Sequence, residues 1–428
     1  MDKTIDRSRV GGRLTPPSSK SYAQRAIAAA LLSPGRTILR GLEMCDDTRS
    51  TLAVAQALGA QAEKFGPSAV VTAAAGCACD AEDYAITGGL HPRERILDIG
   101  ESGLATRLFT PIASLCDQPI TITGHGTIMR RPMDMMLAPL RALGVRIEDN
   151  DGYLPLTVCG PMRGGETDVG GSVSSQFLTG LLMALPLAAH DTVLRVSELR
   201  SIPYVNMTID LARAFGVAIE HRDYEEFFVA GGQSYALDEY AVEGDWSGAS
   251  CLLVAGAVAG SVTFENLNPL SIQADVAMIE ALEDAGARII TTANTVTVER
   301  AELNAFEFDA THCPDLFPAL VALAANCNGI SEIRGTSRLQ HKESDRAAVL
   351  QEEFGRMGVE VDLTQPDVMS VTGGPMHGAE VSSHGDHRIA MAAAVAALTA
   401  SCPVTIHGAE AVAKSYPGFW DDLTMITK

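Results

Sequence analysis

One pattern repeats six times along this chain: a helix-forming stretch of small apolar residues, a short gap, then a β-type run. The β-type runs are Thr37–Leu42 (TILRGL), Ile120–His125 (ITITGH), Thr192–Ser197 (TVLRVS), Ser261–Asn266 (SVTFEN), Ile330–Gly335 (ISEIRG) and Pro403–Gly408 (PVTIHG). Their starts lie 83, 72, 69, 69 and 73 residues apart. A second signal falls between them, a helix end, a Gly and then a strand: ALGAQAE from Ala57, ALGVRIE from Ala142, AFGVAIE from Ala214, DAGARII from Asp284 and RMGVEVD from Arg356. Glycine suits the left-handed position that ends a helix, where a side chain clashes. Each unit of about 70 residues then holds two helices and several strands, too much for an ordinary solenoid repeat.

With 428 residues the chain exceeds one ordinary hydrophobic core. Six units in two groups of three predict two similar α/β domains, 17–240 and 1–16 with 241–428. The chain crosses between them near Pro16–Ser18 and Tyr235–Tyr240. The helix before each β-type run, as in Ala26–Leu32 and Ala390–Ala400, is apolar nearly all round, so it is expected to be buried.

The unusual polar chemistry gathers where those buried helices start. The starts read SSKSYAQR (Ser18–Arg25), GESGLATR (Gly100–Arg107), SVSSQ (Ser172–Gln176), EGDWSGAS (Glu243–Ser250), HCPD (His312–Asp315) and GDHR (Gly385–Arg388). Helix N-termini carry unsatisfied N–H groups and the positive end of the dipole, which makes them anion sites. Ordinary capping accounts for Ser, Asp and Gly at such places. It does not account for Lys20, Arg25, Arg107 and Arg388 in the first turns of apolar helices, where an unpartnered cation is costly. Further cations stand in Arg130-Arg131-Pro132, in the segment Arg338 to Arg346, and at Lys414.

The net charge of −21 sets a limit on partners. The overall field repels polyanions, so nucleic acid and anionic membrane surfaces are excluded, and any small anionic substrate needs a local cationic cluster. No apolar run approaches the ~20 residues that span a bilayer, and the N-terminal stretch does not resemble a secretory signal. The nine scattered cysteines form no C-x-x-C pair, which fits free thiols in a reducing compartment, and a cytoplasmic location is expected.

In this order and spacing, SVSSQFLTGLLMALPLA from Ser172, HKESDR from His341, DHRIAM from Asp386 and AKSYPGF from Ala413 resemble the 5-enolpyruvylshikimate-3-phosphate synthase family, from Arg13 to Leu423. The resemblance implies two domains of three β-α-β-α-β-β units each, with the active site in the cleft between them. It implies transfer of the enolpyruvyl group of phosphoenolpyruvate to the 5-hydroxyl of shikimate 3-phosphate, with release of phosphate. Shikimate 3-phosphate would be held by Lys20, Ser21, Arg25, Ser174, Ser175, Gln176 and Ser201, with Tyr204 nearby. Phosphoenolpyruvate would meet Lys20, Gly103, Arg131, Gln176, Arg346, Arg388 and Lys414, with Arg107 supporting Gly103. Asp315 and Lys342 would act on the 5-hydroxyl, and Glu343 on the enol carbon beside His387. A base near the attacking hydroxyl and an acid near the methylene carbon are what this addition needs. No cofactor and no metal are implied, and no H-x-x-H or C-x-x-C ligand spacing is present. The expected partners are the two small substrates, and a monomer is expected.

The chain departs from the family pattern at Glu101-Ser102-Gly103-Leu104, where Asn-Ala/Ser-Gly-Thr is usual, at Leu108, and at Arg338, where Asn is frequent. Glu101 sets a carboxylate beside a phosphate site, which requires it to point away or pair with a cation. Gly103 is kept, so inhibition by glyphosate in competition with phosphoenolpyruvate is expected. The alternatives are a UDP-N-acetylglucosamine enolpyruvyl transferase, which carries a reactive loop Cys, and a noncatalytic anion-binding protein on the same scaffold. Cys116 ends an apolar helix pattern and reads as a small core residue. The presence of Asp315, Lys342 and Glu343 argues against loss of catalysis.

Overall fold

The computed structural model describes residues 1–68, 81–172 and 174–428; Val173, inside the Ser172–Gln176 motif, and Cys77 and Cys79 lie outside them. The described chain forms two compact units, Met1–Ser19 with Glu243–Lys428, and 20–68 with 81–242.

In the unit from residue 20 to 242, six helices alternate in character. They are α1 (Lys20–Leu32), α2 (Asp46–Ala57), α3 (Gly103–Ala113), α4 (Leu137–Ala142), α5 (Gln176–Ala184) and α6 (Ile202–Ala214). The other unit continues with α7 (Trp246–Ala259), α8 (Met278–Asp284), α9 (Phe317–Ala324), α10 (Arg346–Arg356), α11 (His387–Ala397) and α12 (Phe419–Ile426). The odd-numbered helices from α1 to α11 are the apolar ones. Along α3, α9 and α11 every residue is buried. Small side chains all round let such a helix be covered on every face. Gly180 of α5 shows how close the packing is: a Cβ there would lie 2.1 Å from the carbonyl oxygen of Arg107 in α3.

All six predicted β-type runs are central strands of one recurring sheet. In the third, Thr192–Ser197 pairs in parallel with the entering strand Gly165–Gly170 and antiparallel with Glu226–Val229, which in turn pairs with Glu220–Arg222. The parallel step needs a crossover, and the buried helix provides it. The first sheet of each unit takes its entering strand from far along the chain. Glu239–Ala241 lies parallel to Arg36–Leu42, and Val10–Leu14 lies parallel to Gly260–Glu265. The sixth sheet ends with Asp2–Ile5, antiparallel to Val404–His407. Two strands from residues 1–19 thus complete sheets built from 243–428, which is why these segments fold as one unit.

The five predicted helix-ending glycines, Gly59, Gly144, Gly216, Gly286 and Gly358, have φ of 125°, 89°, 83°, 90° and 86°. All lie in the region that L side chains rarely adopt. The seven cysteines among the described residues are free. Burial pushes the Cys116 thiol up to about 12, so it is not a reactive loop cysteine. No helix among the described residues is long and apolar enough to cross a membrane.

Candidate active site

In the unit from 20 to 242, the starts of α1, α3 and α5 are tied together by side chains that the sequence singled out. Gln24, buried in α1, donates from Nε2 to Ser102 Oγ at 3.1 Å, and Ser102 caps α3 by accepting from the Ala105 N–H at 3.2 Å. Arg107, one turn into α3, donates to Gln176 Oε1 at the start of α5 (3.1 Å), to the Gly103 carbonyl (3.3 Å) and to the Pro132 carbonyl (3.2 Å). Gly103 faces the same group of cations. A Cβ there would lie 2.7 Å from Arg131 Nη1, 3.2 Å from Arg107 Nη1 and 3.5 Å from Gln176 Oε1. Gly103, Arg107, Arg131 and Gln176 therefore form one cluster.

Lys20, the first residue of α1, is paired with Asp47 of α2, Nζ to Oδ2 at 2.9 Å. Arg25, fully buried, donates to Thr208 Oγ1, Thr179 Oγ1 and the carbonyls of Ser21 and Tyr204. None of those acceptors is a carboxylate, and burial pushes the guanidinium down to about 10. Arg25 thus brings α1, α5 and α6 together while keeping an uncompensated positive charge inside. Ser174 Oγ accepts from the Gln176 N–H at 3.2 Å. Ser175 and Ser201 are buried, and Ser201 takes a left-handed φ of 58° just before α6.

Glu101 Oε2 accepts from the N–H and the hydroxyl of Thr127, both at 2.9 Å, and so anchors the turn Gly126–Arg130 that leads into Arg131. Leu104 and Leu108 are core residues.

In the unit holding 243–428, Arg346 at the start of α10 is the hub. It donates to Asp315 Oδ1 (2.7 Å), Glu343 Oε2 (2.8 Å) and Asp386 Oδ2 (2.8 Å). Its side chain is 1% exposed. Lys342 Nζ donates to the same Asp315 oxygen at 3.0 Å, and Arg388 Nη2 lies 3.8 Å from Asp315 Oδ2. Asp386 also caps α11, accepting from the Arg388 N–H at 3.0 Å. Arg388 in turn donates to the Ser247 hydroxyl (2.6 Å) and carbonyl (3.2 Å) at the start of α7. Asp315, Lys342, Glu343, Arg346 and Arg388 are thus one network.

The charges shift one another strongly. Desolvation opposes ionisation of Asp315, but Lys342, Arg388 and Arg346 outweigh it and hold the carboxyl well below the usual range. Burial lowers the proton affinity of Lys342 against the pull of Asp315, and Arg346 and Arg338 add to the lowering. Arg338, where Asn was noted as frequent, is buried in the turn Thr336–His341 that precedes Lys342. His387 is buried, with Nδ1 3.7 Å from Asp386 Oδ1, beyond hydrogen-bond reach. Lys414 is buried at the end of the turn Ala409–Lys414, which packs on α11. Sequence reasoning assigned no role to Asp47, Gln24, Asp386 or Ser247. Only Asp386 carried a usable signal, an Asp just before a helix that opens with His-Arg.

Comparison with known proteins decides what this arrangement belongs to. Residues 5–423 match the family model described as EPSP synthase (3-phosphoshikimate 1-carboxyvinyltransferase). The chain belongs to the EPSP synthase family. A 3-phosphoshikimate 1-carboxyvinyltransferase of Methanoculleus marisnigri is 38% identical over 95% of this chain and 94% of that protein. One from Halobacterium salinarum is 38% identical over 99% of this chain and 98% of that protein. Among solved structures, EPSP synthase from Acinetobacter baumannii superposes with a TM-score of 0.80 at 26% identity, over 100% of this chain and 98% of that one. Membership in the EPSP synthase family makes this chain an enzyme. Three of the four motifs that carried the resemblance reach the clusters just described, SVSSQ through Gln176 the first, and HKESDR and DHRIAM the second.

Proposed function

We propose that the chain transfers the enolpyruvyl group of phosphoenolpyruvate to the 5-hydroxyl of shikimate 3-phosphate and releases phosphate. The observation that carries this reading is the meeting of Asp315, Lys342 and Glu343 on Arg346, which puts an acid, a base and anion-holding cations in one network. Relatives 38% identical over nearly the whole chain bear the corresponding activity in their names.

In this reading Lys20, Ser21, Arg25, Ser174, Ser175, Gln176 and Ser201 hold shikimate 3-phosphate. Lys20, Gly103, Arg131, Gln176, Arg346, Arg388 and Lys414 hold phosphoenolpyruvate. The 5-hydroxyl adds to C2 of phosphoenolpyruvate, its proton passing to Lys342 or Asp315, while Glu343 delivers a proton to the methylene carbon. The C2–O bond to phosphate then breaks, the departing phosphate takes the proton gained from the 5-hydroxyl, the methyl group returns a proton to Glu343, and the enol ether and hydrogen phosphate leave. The strongly depressed Asp315 is a weak base by itself. Lys342, whose proton affinity is lowered, can pass its Nζ proton to Asp315 and take the hydroxyl proton in its place. Substrate anions that draw charge from Arg346 and Arg388 would raise Asp315 toward a useful range. His387 supports the start of α11. The enzyme acts as a cytoplasmic monomer on these two small molecules.

The test is phosphate release with shikimate 3-phosphate and with UDP-N-acetylglucosamine in parallel, each with phosphoenolpyruvate. Release only with shikimate 3-phosphate, abolished in Asp315→Ala and reduced in Glu343→Gln, is the expected result. Release with the nucleotide sugar, or with neither, overturns the reading.

A further inference from the structure

Behind Arg388 lies a carboxyl group that the reaction scheme does not use. Asp275 sits in the turn Ala274–Ala277 before α8 and is only 2% exposed. The Ser247 hydroxyl donates to its Oδ2. The other oxygen, Oδ1, is buried with no hydrogen-bond partner among the described residues. The same Ser247 hydroxyl accepts from Arg388 Nη2 at 2.6 Å. A guanidinium only donates and a hydroxyl has one proton, so these contacts fix the order: Arg388 donates to Ser247, and Ser247 donates to Asp275. We propose that Asp275, acting through Ser247, is a positioning residue for Arg388 that takes up a proton when an anionic substrate group docks on that guanidinium.

The physical case is one of linkage. A buried carboxylate with one unpartnered oxygen is disfavoured. Burial comes first in raising the Asp275 carboxyl to about 7, and the negative charge of Asp315 adds to it. Arg388 and the Ser247 hydrogen bond hold the ionised form, and Asp245 at the start of α7 opposes it. The Cys313 thiol is also close by, and burial keeps it neutral. An anion that pairs with Arg388 removes the main support of the Asp275 charge, so the carboxyl then binds a proton. Linkage is reciprocal, so raising the pH must weaken that anion. The device lets the site hold four carboxylates, Asp275, Asp315, Glu343 and Asp386, around Arg388 and Arg346 with less negative charge against an incoming phosphate.

This inference rests on the proposed role of Arg388 in binding phosphoenolpyruvate. The test is the pH profile of KM for phosphoenolpyruvate in wild type, Asp275→Asn and Ser247→Ala. Asparagine keeps an acceptor for Ser247 and cannot ionise. The ratio of wild-type to Asp275→Asn KM is expected to rise about 3- to 10-fold from pH 6.5 to 8.5, a bound set by a single linked proton, while KM for shikimate 3-phosphate is unmoved by the substitution. Ser247→Ala is expected to raise KM for phosphoenolpyruvate at every pH and to shift the break in the profile upward. A flat ratio, or a Ser247→Ala enzyme with the wild-type profile, overturns the relay. If wild type releases no phosphate at all, the proposed function fails, and the relay is still read by infrared difference spectroscopy with orthophosphate as the probe anion. A gain of protonated carboxyl in wild type that Asp275→Asn lacks supports the relay; the same spectrum in both refutes it.

Discussion

Single residues set the chemistry through charge and space. Lys342 is asked to exchange a proton, which an arginine cannot do. Lys342→Arg keeps the ion pair with Asp315 and is expected to lose activity by roughly 100-fold or more, measured as kcat for phosphate release; near-normal turnover would show that only the charge matters. Gly103 answers to space. A methyl group there meets Arg131 Nη1 at 2.7 Å, and because that atom ends a flexible side chain, the arginine moves rather than the helix. Gly103→Ala is expected to raise KM for phosphoenolpyruvate with little change in thermal stability, and to weaken competitive inhibition by glyphosate. Wild-type enzyme indifferent to millimolar glyphosate would contradict the reading of this position. Arg107 and Arg388 were legible in the sequence because cations in the first turns of apolar helices are conspicuous, whereas Gly103, Arg131, Lys342 and Arg346 drew their expected roles from the family resemblance. Asp275 was not legible, since a lone Asp in Gln273–Asp275 looks like any loop residue until its neighbours in space are known. Glu101 was legible as a difficulty, and its contacts with Thr127, 26 residues away, could not be read locally.

At the scale of elements, helix–Gly–strand junctions and buried helices carry the design. Gly216 has φ of 83° and nothing within 4 Å of its would-be Cβ, so Gly216→Ala isolates the conformational cost, about 1 kcal/mol. Gly59→Ala adds a clash with backbone, 2.7 Å from the Gly89 carbonyl oxygen, and is expected to cost clearly more by urea unfolding. Equal effects would deny the distinction. These junctions were legible because a single position demands glycine in five repeats. What could not be read locally was the origin of the entering strands. Glu239–Ala241 and Val10–Leu14 pair with partners about two hundred residues or more away, and their short sequences contain no signal of which sheet they join. The sixth repeat likewise takes Asp2–Ile5, whose exposed, partly polar pattern looks nothing like a core strand.

For the whole molecule, the two clusters differ in charge: Arg107 and Arg131 gather beside Gly103, whereas Lys342, Arg346 and Arg388 are matched by Asp315, Glu343 and Asp386. Burying so many charges makes stability pH-dependent in both directions. Asp315 is held low in the fold, so its contribution is present above the ordinary carboxylate range near 3.8 and is lost as pH falls through the folded value. Asp275 is raised to about 7, so ionising it opposes folding, and stability is expected to drop as pH rises from about 4 toward 7. Melting curves of ligand-free wild type and Asp275→Asn should diverge across that window, with the variant flatter; parallel curves would contradict the assignment. The proposed function calls on residues from both clusters. Its most direct test is kcat/KM for phosphoenolpyruvate in Arg131→Met and Arg388→Met, one substitution in each unit. Both are expected to fall by about 100-fold or more, as for loss of a charged group that stabilises the transition state, and wild-type values from either variant would contradict the account.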